Sequence, residues 1–326
     1  MKKSLAAFAL AAVAALTLSG CTDSGASPSA APSESGGGEL RTVRVAALPI
    51  AETGAIWAAI DAGIFEDHGL DIEVVPAQGG AQAIPALLSG DIQFAIGQPF
   101  GPIRADLQDL GIVIIGDYAN SLADGTDVNA VVALGGSGIA SPKDLSGKKV
   151  SVNSLGAAGD LTIRAAVDAD GGDSSTIEFV EVAFPEAKAQ LDAGTIDAAW
   201  VPDPFRGIIL GAGGVSVVSP YQAVIPGLTV LTNITTQKLI DEDPDLVADY
   251  SAAMAEALAY AADNEDAVRA AIATGLDIPA EAAAGITLPN FTWELDTDSI
   301  KTLGDLAVQY EYIDALPDFD RLLQQQ

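Results

Sequence analysis

"LLSGDIQFAIGQPF", Leu87 to Phe100, returns about a hundred residues later as "LDAGTIDAAWVPDPF", Leu191 to Phe205. A chain that repeats itself at this spacing builds one unit twice, and that restricts its fold more than any single motif. The match extends in both directions. "TVRVAAL" and "KKVSVNS" each alternate as a strand should. Each is followed by a helical stretch, a second strand ("DIEVVPA", "TIEFVEVA"), and a second helix ending at Gly90 or Gly194. Beyond the quoted strands, "GIVIIGDY" answers "GVSVVSPY". The offsets drift only from 107 residues (Val43 to Val150) to 103 (Tyr118 to Tyr221). Chance likeness between α/β units is the competing explanation, because glycine before a strand is common punctuation; registers this constant favour two related lobes. Each copy reads β-α-β-α-β-α-β, so an α/β fold with mainly parallel sheets covered by helices is expected. Two large copies exclude a solenoid.

Two such lobes can face each other with the carboxyl ends of their strands lining a cleft, the edge where open α/β sheets bind ligands. Both quoted strands end there, at Gln98-Pro99-Phe100 and at Pro202-Asp203-Pro204-Phe205. A plain strand-ending turn with a core phenylalanine explains either copy alone equally well. After each copy a β-rich segment follows, "NAVVAL" (129–134) and "LTVLTN" (228–233), read here as crossings between lobes. The remainder is helical. Leu246, Tyr250, Met254 and Leu258 share one face at i, i+4 spacing, and Asp243-Pro244 suits the start of that helix. Packing this tail on the first lobe divides the chain into lobe I (41–128 plus 229–326) and lobe II (129–228), joined by a two-segment hinge.

The N-terminus stands apart from this globule. Two lysines precede an apolar run from Leu5 to Leu18, too short for a membrane span of about 20 residues and suited to a secretion signal. The run closes on Leu18-Ser19-Gly20-Cys21, which resembles the bacterial lipobox, whose cysteine is acylated. Residues 1–20 are therefore read as a lipoprotein signal peptide and Cys21 as the lipidation site, anchoring the protein to the cell membrane. The Ser/Gly/Ala/Pro-rich residues 21–40 are read as a flexible tether. Cys21 is the only cysteine, so disulfides and cysteine metal sites are excluded. A formal charge of −30 argues against a nucleic-acid partner.

Catalytic chemistry is hard to assemble from these residues. The one histidine, His68, stands in "FEDHGLD" before Gly69 and reads as a helix C-terminal cap or a surface turn. No H-x-x-x-H spacing, Walker motif or complete dinucleotide fingerprint occurs. No metal or cofactor is expected. Two glycine-rich helix openings remain, "AQGGAQA" and "NSLGAAGD". Their backbone N–H groups suit an anionic or hydrogen-bond-accepting ligand group, although tight turns account for them nearly as well.

"GIFEDHGLDIEVVPAQGG", "ALLSGDIQFAIG", "DLSGKKVSVN" and "LDAGTIDAAWVPDPF", in this order, resemble solute-binding proteins of ABC importers. The group is the nitrate/sulfonate/taurine (SsuA-like) type, in one superfamily with the thiamine-pyrimidine synthase. The resemblance implies a periplasmic-binding-protein fold that closes on a ligand by hinge bending. It places ligand-binding positions at Glu52, Thr53 and Trp57, at Gly80, at Gln98 and Phe100, at Ser154, Gly156 and Ala157, and at Phe184, Trp200 and Asp203. The synthase branch uses a histidine and a cysteine-rich motif, which this chain lacks. The expected function is that of a monomeric, lipid-anchored, extracytoplasmic receptor, not an enzyme, handing a small solute to an importer permease. A synthase-type enzyme and a ligand-sensing module without transport are the alternatives.

Ligand type follows from the mapped residues. Glu52 and Asp203 stand among Trp57, Phe100, Phe184 and Trp200, while Arg104 and Arg164 fall on helical stretches and Arg206 follows the second Pro-Phe. A carboxylate about 4 Å from an oxyanion costs about 4 kcal/mol at a near-surface dielectric. Aromatic walls with acidic groups suit a flat nitrogen-bearing or amine solute better. A heteroaromatic or amine ligand is expected over a small oxyanion.

Overall fold

The protein, a computed structural model, is described over residues 40–77 and 79–326. The signal peptide, Cys21 and all of the tether but Leu40 lie outside these residues.

The first copy runs β1 (Arg41–Ala47), α1 (Gly54–Asp61), α2 (Ile64–Asp67), β2 (Leu70–Pro76), α3 (Gly80–Ser89), β3 (Phe94–Gly97), α4 (Phe100–Asp106) and β4 (Ile112–Asn120). After β5 (Asn129–Ala133) the second copy repeats the pattern. It runs β6 (Lys149–Val152), α5 (Ala158–Ala169), β7 (Glu178–Glu181), α6 (Ala187–Asp192), β8 (Ala198–Pro202), α7 (Phe205–Gly211) and β9 (Val215–Val218). Then come α8 (Pro220–Val224) and β10 (Thr229–Thr236). The tail adds α9 (Gln237–Glu242), α10 (Pro244–Asp263), α11 (Glu265–Gly275), α12 (Ala280–Ala284), β11 (Asn290–Phe291), α13 (Thr297–Gln309) and α14 (Phe319–Leu322).

One sheet is ordered β2-β1-β3-β10-β4-β11 and the other β7-β6-β8-β5-β9. Within each, the first strand of the copy pairs in parallel with the second and third. The helix before each quoted strand stops at the glycine the repeat marks. Gly90 and Gly194 take φ of +82° and +66°, left-handed values that a side chain would oppose.

The two β-rich segments read as crossings are something else. β5 and β10 are antiparallel strands inside the sheets, each seated between the third and fourth strands of a copy. The exchange is reciprocal: β5 follows the first copy and enters the second sheet, while β10 follows the second copy and enters the first. The links are the short segments 121–128 and 225–228, tied where Ser121 N–H donates to Leu228 O at 2.8 Å. Alternating apolar residues reveal a strand but not its direction. Direction matters here, because an antiparallel strand starts at the edge where its neighbours end. The first residues of β5 and β10 therefore reach the carboxyl edge of each sheet.

α10 carries the tail onto the first sheet. Its Leu246, Tyr250, Met254 and Leu258 are all buried, and Asp243 accepts from Leu246 N–H at 3.1 Å with Pro244 in the first turn. Each such side chain contributes roughly 1.5–3 kcal/mol by burial, and Tyr250 stacks on Phe94 of β3 at 3.6 Å. His68 ends α2, with Nε2 2.9 Å from a Glu256 carboxylate oxygen. Among the described residues no helix is long and apolar enough to cross a membrane.

Candidate ligand-binding cleft

The carboxyl ends of the two sheets share a cavity of about 70 Å³. Of the twelve residues mapped from the resemblance, Glu52, Gln98, Phe100, Ser154, Gly156, Ala157, Phe184 and Trp200 line it. A second space of about 340 Å³ adjoins it, sharing Leu48, Ile50, Asn153 and Phe184 and continuing past Phe205.

The aromatic wall is preorganised. Trp200 donates its indole N–H to Asn129 Oδ1 at 2.9 Å and meets Phe184 and Tyr221 edge-on, at centroid distances of 5.7 and 5.6 Å. Gly159 of α5 lies against its six-membered ring, so close that a Cβ there would come to 3.0 Å. Phe100 packs edge-on to Tyr312 of the tail. Rings held in this way lose little entropy when a flat solute arrives.

Glu52 sits in a one-turn helix between β1 and α1, held by its neighbour. Thr53 Oγ1 donates to Leu48 O and Ile50 O at 2.6 and 2.8 Å. Tyr118 Oη donates to Thr53 O and accepts from Ile56 N–H, both at 2.9 Å. Thr53 thus positions the loop and lies outside the lining. The Glu52 side chain is 2% exposed, and its Oε2 has no hydrogen-bond partner among the described residues. Burial pushes its pKa well above the usual carboxylate range; Asp203 and Asp127 add repulsion, opposed by a backbone hydrogen bond and by Arg206.

Other mapped residues lie elsewhere. Trp57 turns toward α11, its ring against Gly275, where a Cβ would come within 2.9 Å. Gly80 opens α3, and the adjacent Gly79 supplies that part of the wall. Asp203 lies outside the lining. Its carboxylate pairs with Arg206 at 2.6 Å and accepts from Gly207 N–H at 3.1 Å, so its charge is spent inside the protein. Arg206 also donates to the Asp127 carbonyl and to Thr287 Oγ1.

The helix opening at Ala157 is capped from within the protein. Asp160, 3% exposed, accepts from Gly156 N–H and Ala157 N–H at 2.8 Å each, so both amides already hold an anion. One base does reach the cleft. Arg104 lies in the lining, its guanidinium 5.1 Å from the Phe100 ring centroid and against Gly156. Its placement four residues after Phe100 on one helix face was a readable signal. Arg164 is turned away, donating to Tyr312 Oη and Ser174 O at 3.0 and 2.7 Å.

Sequence reasoning missed Asn129, Val230 and Leu231, which line the cavity because β5 and β10 begin at its edge. Among the described residues no cluster of three or more His, Cys, Asp or Glu side chains could hold a metal ion.

Paired α/β units, reciprocally exchanged strands and a cavity at the facing strand ends define the periplasmic-binding-protein fold. Residues 51–268 match the NMT1/THI5-like family, and the chain belongs to it. It is 24% identical over 225 residues to the formylaminopyrimidine-binding protein of Halalkalibacterium halodurans, covering 68% of this chain and 66%, just under two thirds, of that protein. The alkanesulfonate-binding protein SsuA of Xanthomonas axonopodis, solved with MOPS, superposes with a TM-score of 0.73 at 16% identity, covering 89% of this chain and all of that one. The desulfurization enzyme DSZB superposes with a TM-score of 0.67 at 15% identity, covering 88% and 97%. The fold therefore serves both binding proteins and an enzyme.

Proposed function

We propose that this protein is an extracytoplasmic solute-binding protein, anchored through lipid on Cys21, that delivers a small organic solute to an ABC importer permease. The solute is enclosed as lobe I (41–128 plus 229–326) closes on lobe II (129–228). The observation that carries this reading is the buried Glu52 carboxyl, its Oε2 without a hydrogen-bond partner among the described residues, in the lining of a cavity walled from both sheets by Phe100, Phe184 and Trp200. Relatives named for solute binding support it.

The favoured solute is a nitrogen heteroaromatic or an amine. A carboxyl whose pKa is raised can donate to a ring nitrogen while accepting from an amino group, or ionise against a cation. Arg104 adds room for an acceptor group on the same solute. Binding without catalysis is supported by the position of His68, which engages Glu256 at a helix end outside the cavity lining.

The test is a thermal-shift screen of residues 41–326 against nitrogen heterocycles, amines, taurine, ethanesulfonate and nitrate. A solute at 100 times its Kd adds about 2.7 kcal/mol. Stabilisation by a heterocycle or amine, lost in Trp200→Ala, is expected. Turnover of the bound solute, or stabilisation by the oxyanions alone, would contradict the reading.

A further inference from the structure

The tail touches both lobes at the end of α13. This helix belongs with the first sheet: Ile300, Leu303 and Ala307 are buried, and Ser299 Oγ accepts from Thr229 N–H of β10 at 2.9 Å. It closes in a tight turn, with Tyr312 N–H donating back to Ala307 O at 2.8 Å. The left-handed position of that turn, usually glycine or asparagine, is Glu311, with φ of +60°. Such a residue persists where its surroundings hold it, and here the flanking tyrosines are held. Tyr310 Oη donates to Asp168 Oδ2 at 2.9 Å, and Tyr312 Oη accepts from Arg164 Nε at 3.0 Å, both partners lying on α5 of the second copy. Those partners are fixed in advance. Asp168 accepts from Ser174 N–H and Oγ at 2.9 Å each, and Arg164 donates to Ser174 O at 2.7 Å. Tyr312 also reaches the cleft wall, its ring edge-on to Phe100 at 6.1 Å and its carbonyl accepting from Arg104 at 3.4 Å. The contact is polar and loose: a space of about 630 Å³ remains between the turn and α5, and both tyrosines are only half-buried. Contacts of this kind, like those between mobile domains, part without exposing a core.

We propose that Tyr310 and Tyr312 form a latch that clasps lobe II to lobe I and holds the arrangement in which the cleft encloses its solute. The proposal rests on the reading of the cleft as a solute site between two lobes. Tyr312 is the positioning residue. Its one ring carries both the packing against Phe100 and the bond to α5, so the cleft wall and the closed arrangement depend on the same side chain. Opening breaks two hydrogen bonds to charged partners, which slows the escape of a bound solute more than its entry.

The test measures the distance between lobes and needs no solute. Cys21 is the only cysteine, so the full chain carrying Cys21→Ser takes spin labels only where cysteines are introduced, at Ser89→Cys on α3 and Ala189→Cys on α6, both exposed. Pulsed electron-electron resonance on this protein is expected to show mainly one short distance. Tyr310→Phe/Tyr312→Phe keeps both rings and removes both hydroxyls. It should lower the ratio of short to long distances about tenfold, with the thermal midpoint little changed. Tyr260→Phe, on α10, should leave the ratio as it is. Should the double variant fail to fold by circular dichroism, Tyr310→Phe alone carries the test, with a smaller shift in the same direction. Three results would overturn the proposal: the same distances with and without the two hydroxyls, a long distance already dominant before they are removed, or Tyr260→Phe shifting the ratio as much. Failure of the solute reading would look different, as heterocycles and amines leaving the protein unstabilised whatever the distances do.

Discussion

Glu52 and Asp160 are buried acids at the start of the first helix of each copy, Glu52 in the turn before α1 and Asp160 in the first turn of α5. Both are buried to within a few per cent, and burial raises the pKa of both. Their partners differ. Asp160 accepts from two backbone amides and closes its own helix end, whereas Glu52 keeps an oxygen without a partner at the cavity. Burial alone therefore does not mark a functional acid. What marks it is a desolvated oxygen that the fold leaves unbonded, since such a group costs about 1–3 kcal/mol until something fills it.

The largest test of this contrast concerns Arg206, which neutralises the acids behind Glu52. Arg206→Met strands Asp203 without its cation and should cost about 3–5 kcal/mol in urea unfolding; a loss below about 1 kcal/mol would mean that Asp203 does not depend on the pair. Asp117 of β4 offers a third buried acid, outside the cavity lining. Burial lifts its pKa from 3.8 to about 7 against hydrogen bonds from Asp296 N–H and Thr229. The folded state holds this proton where the unfolded chain has lost it, so the stability is complete below pH 3.8 and drains away as pH rises to about 7. Unfolding free energies of unmodified protein and Asp117→Asn should converge at acid pH and separate by up to about 4 kcal/mol by pH 7. Parallel curves would contradict the shift.

Smaller effects separate Glu52 from Asp160. Glu52→Gln should leave the fold at least as stable at pH 7, because it removes a buried ionisable group, yet weaken binding of an aminopyrimidine or amine probe by about 1.5–3 kcal/mol. The reverse pattern, lost stability with unchanged affinity, would make Glu52 structural. Asp160→Asn should cost only about 1 kcal/mol of stability, the ordinary size of a helix cap, measured by thermal unfolding.

Much of this layout was legible in the sequence because the repeat is carried by strand and helix periods and by glycines at helix ends. Gly90 and Gly194 take the left-handed φ that their positions required. Strand direction was not legible, so β5 and β10 were read as crossings, and Asn129, Val230 and Leu231 were missed in the lining. Phe100, Phe184 and Trp200 were found through the resemblance. The duties of the polar residues were not, because they depend on pairings formed only in three dimensions. Asp203 is spent on Arg206, Asp160 on two amides, and Thr53 on the carbonyls of its own loop.

The central claim, that the cleft takes a nitrogen-bearing organic solute through its aromatic wall and Glu52, is tested most directly by titration calorimetry. 4-Aminopyrimidine, an aromatic amine and ethanesulfonate would be titrated into unmodified protein, Trp200→Ala and Glu52→Gln. The account predicts binding of a nitrogen-bearing probe that weakens by about tenfold or more in each variant, every 1.4 kcal/mol being tenfold, and no binding of ethanesulfonate. Tight ethanesulfonate binding, unchanged in Trp200→Ala, would contradict it.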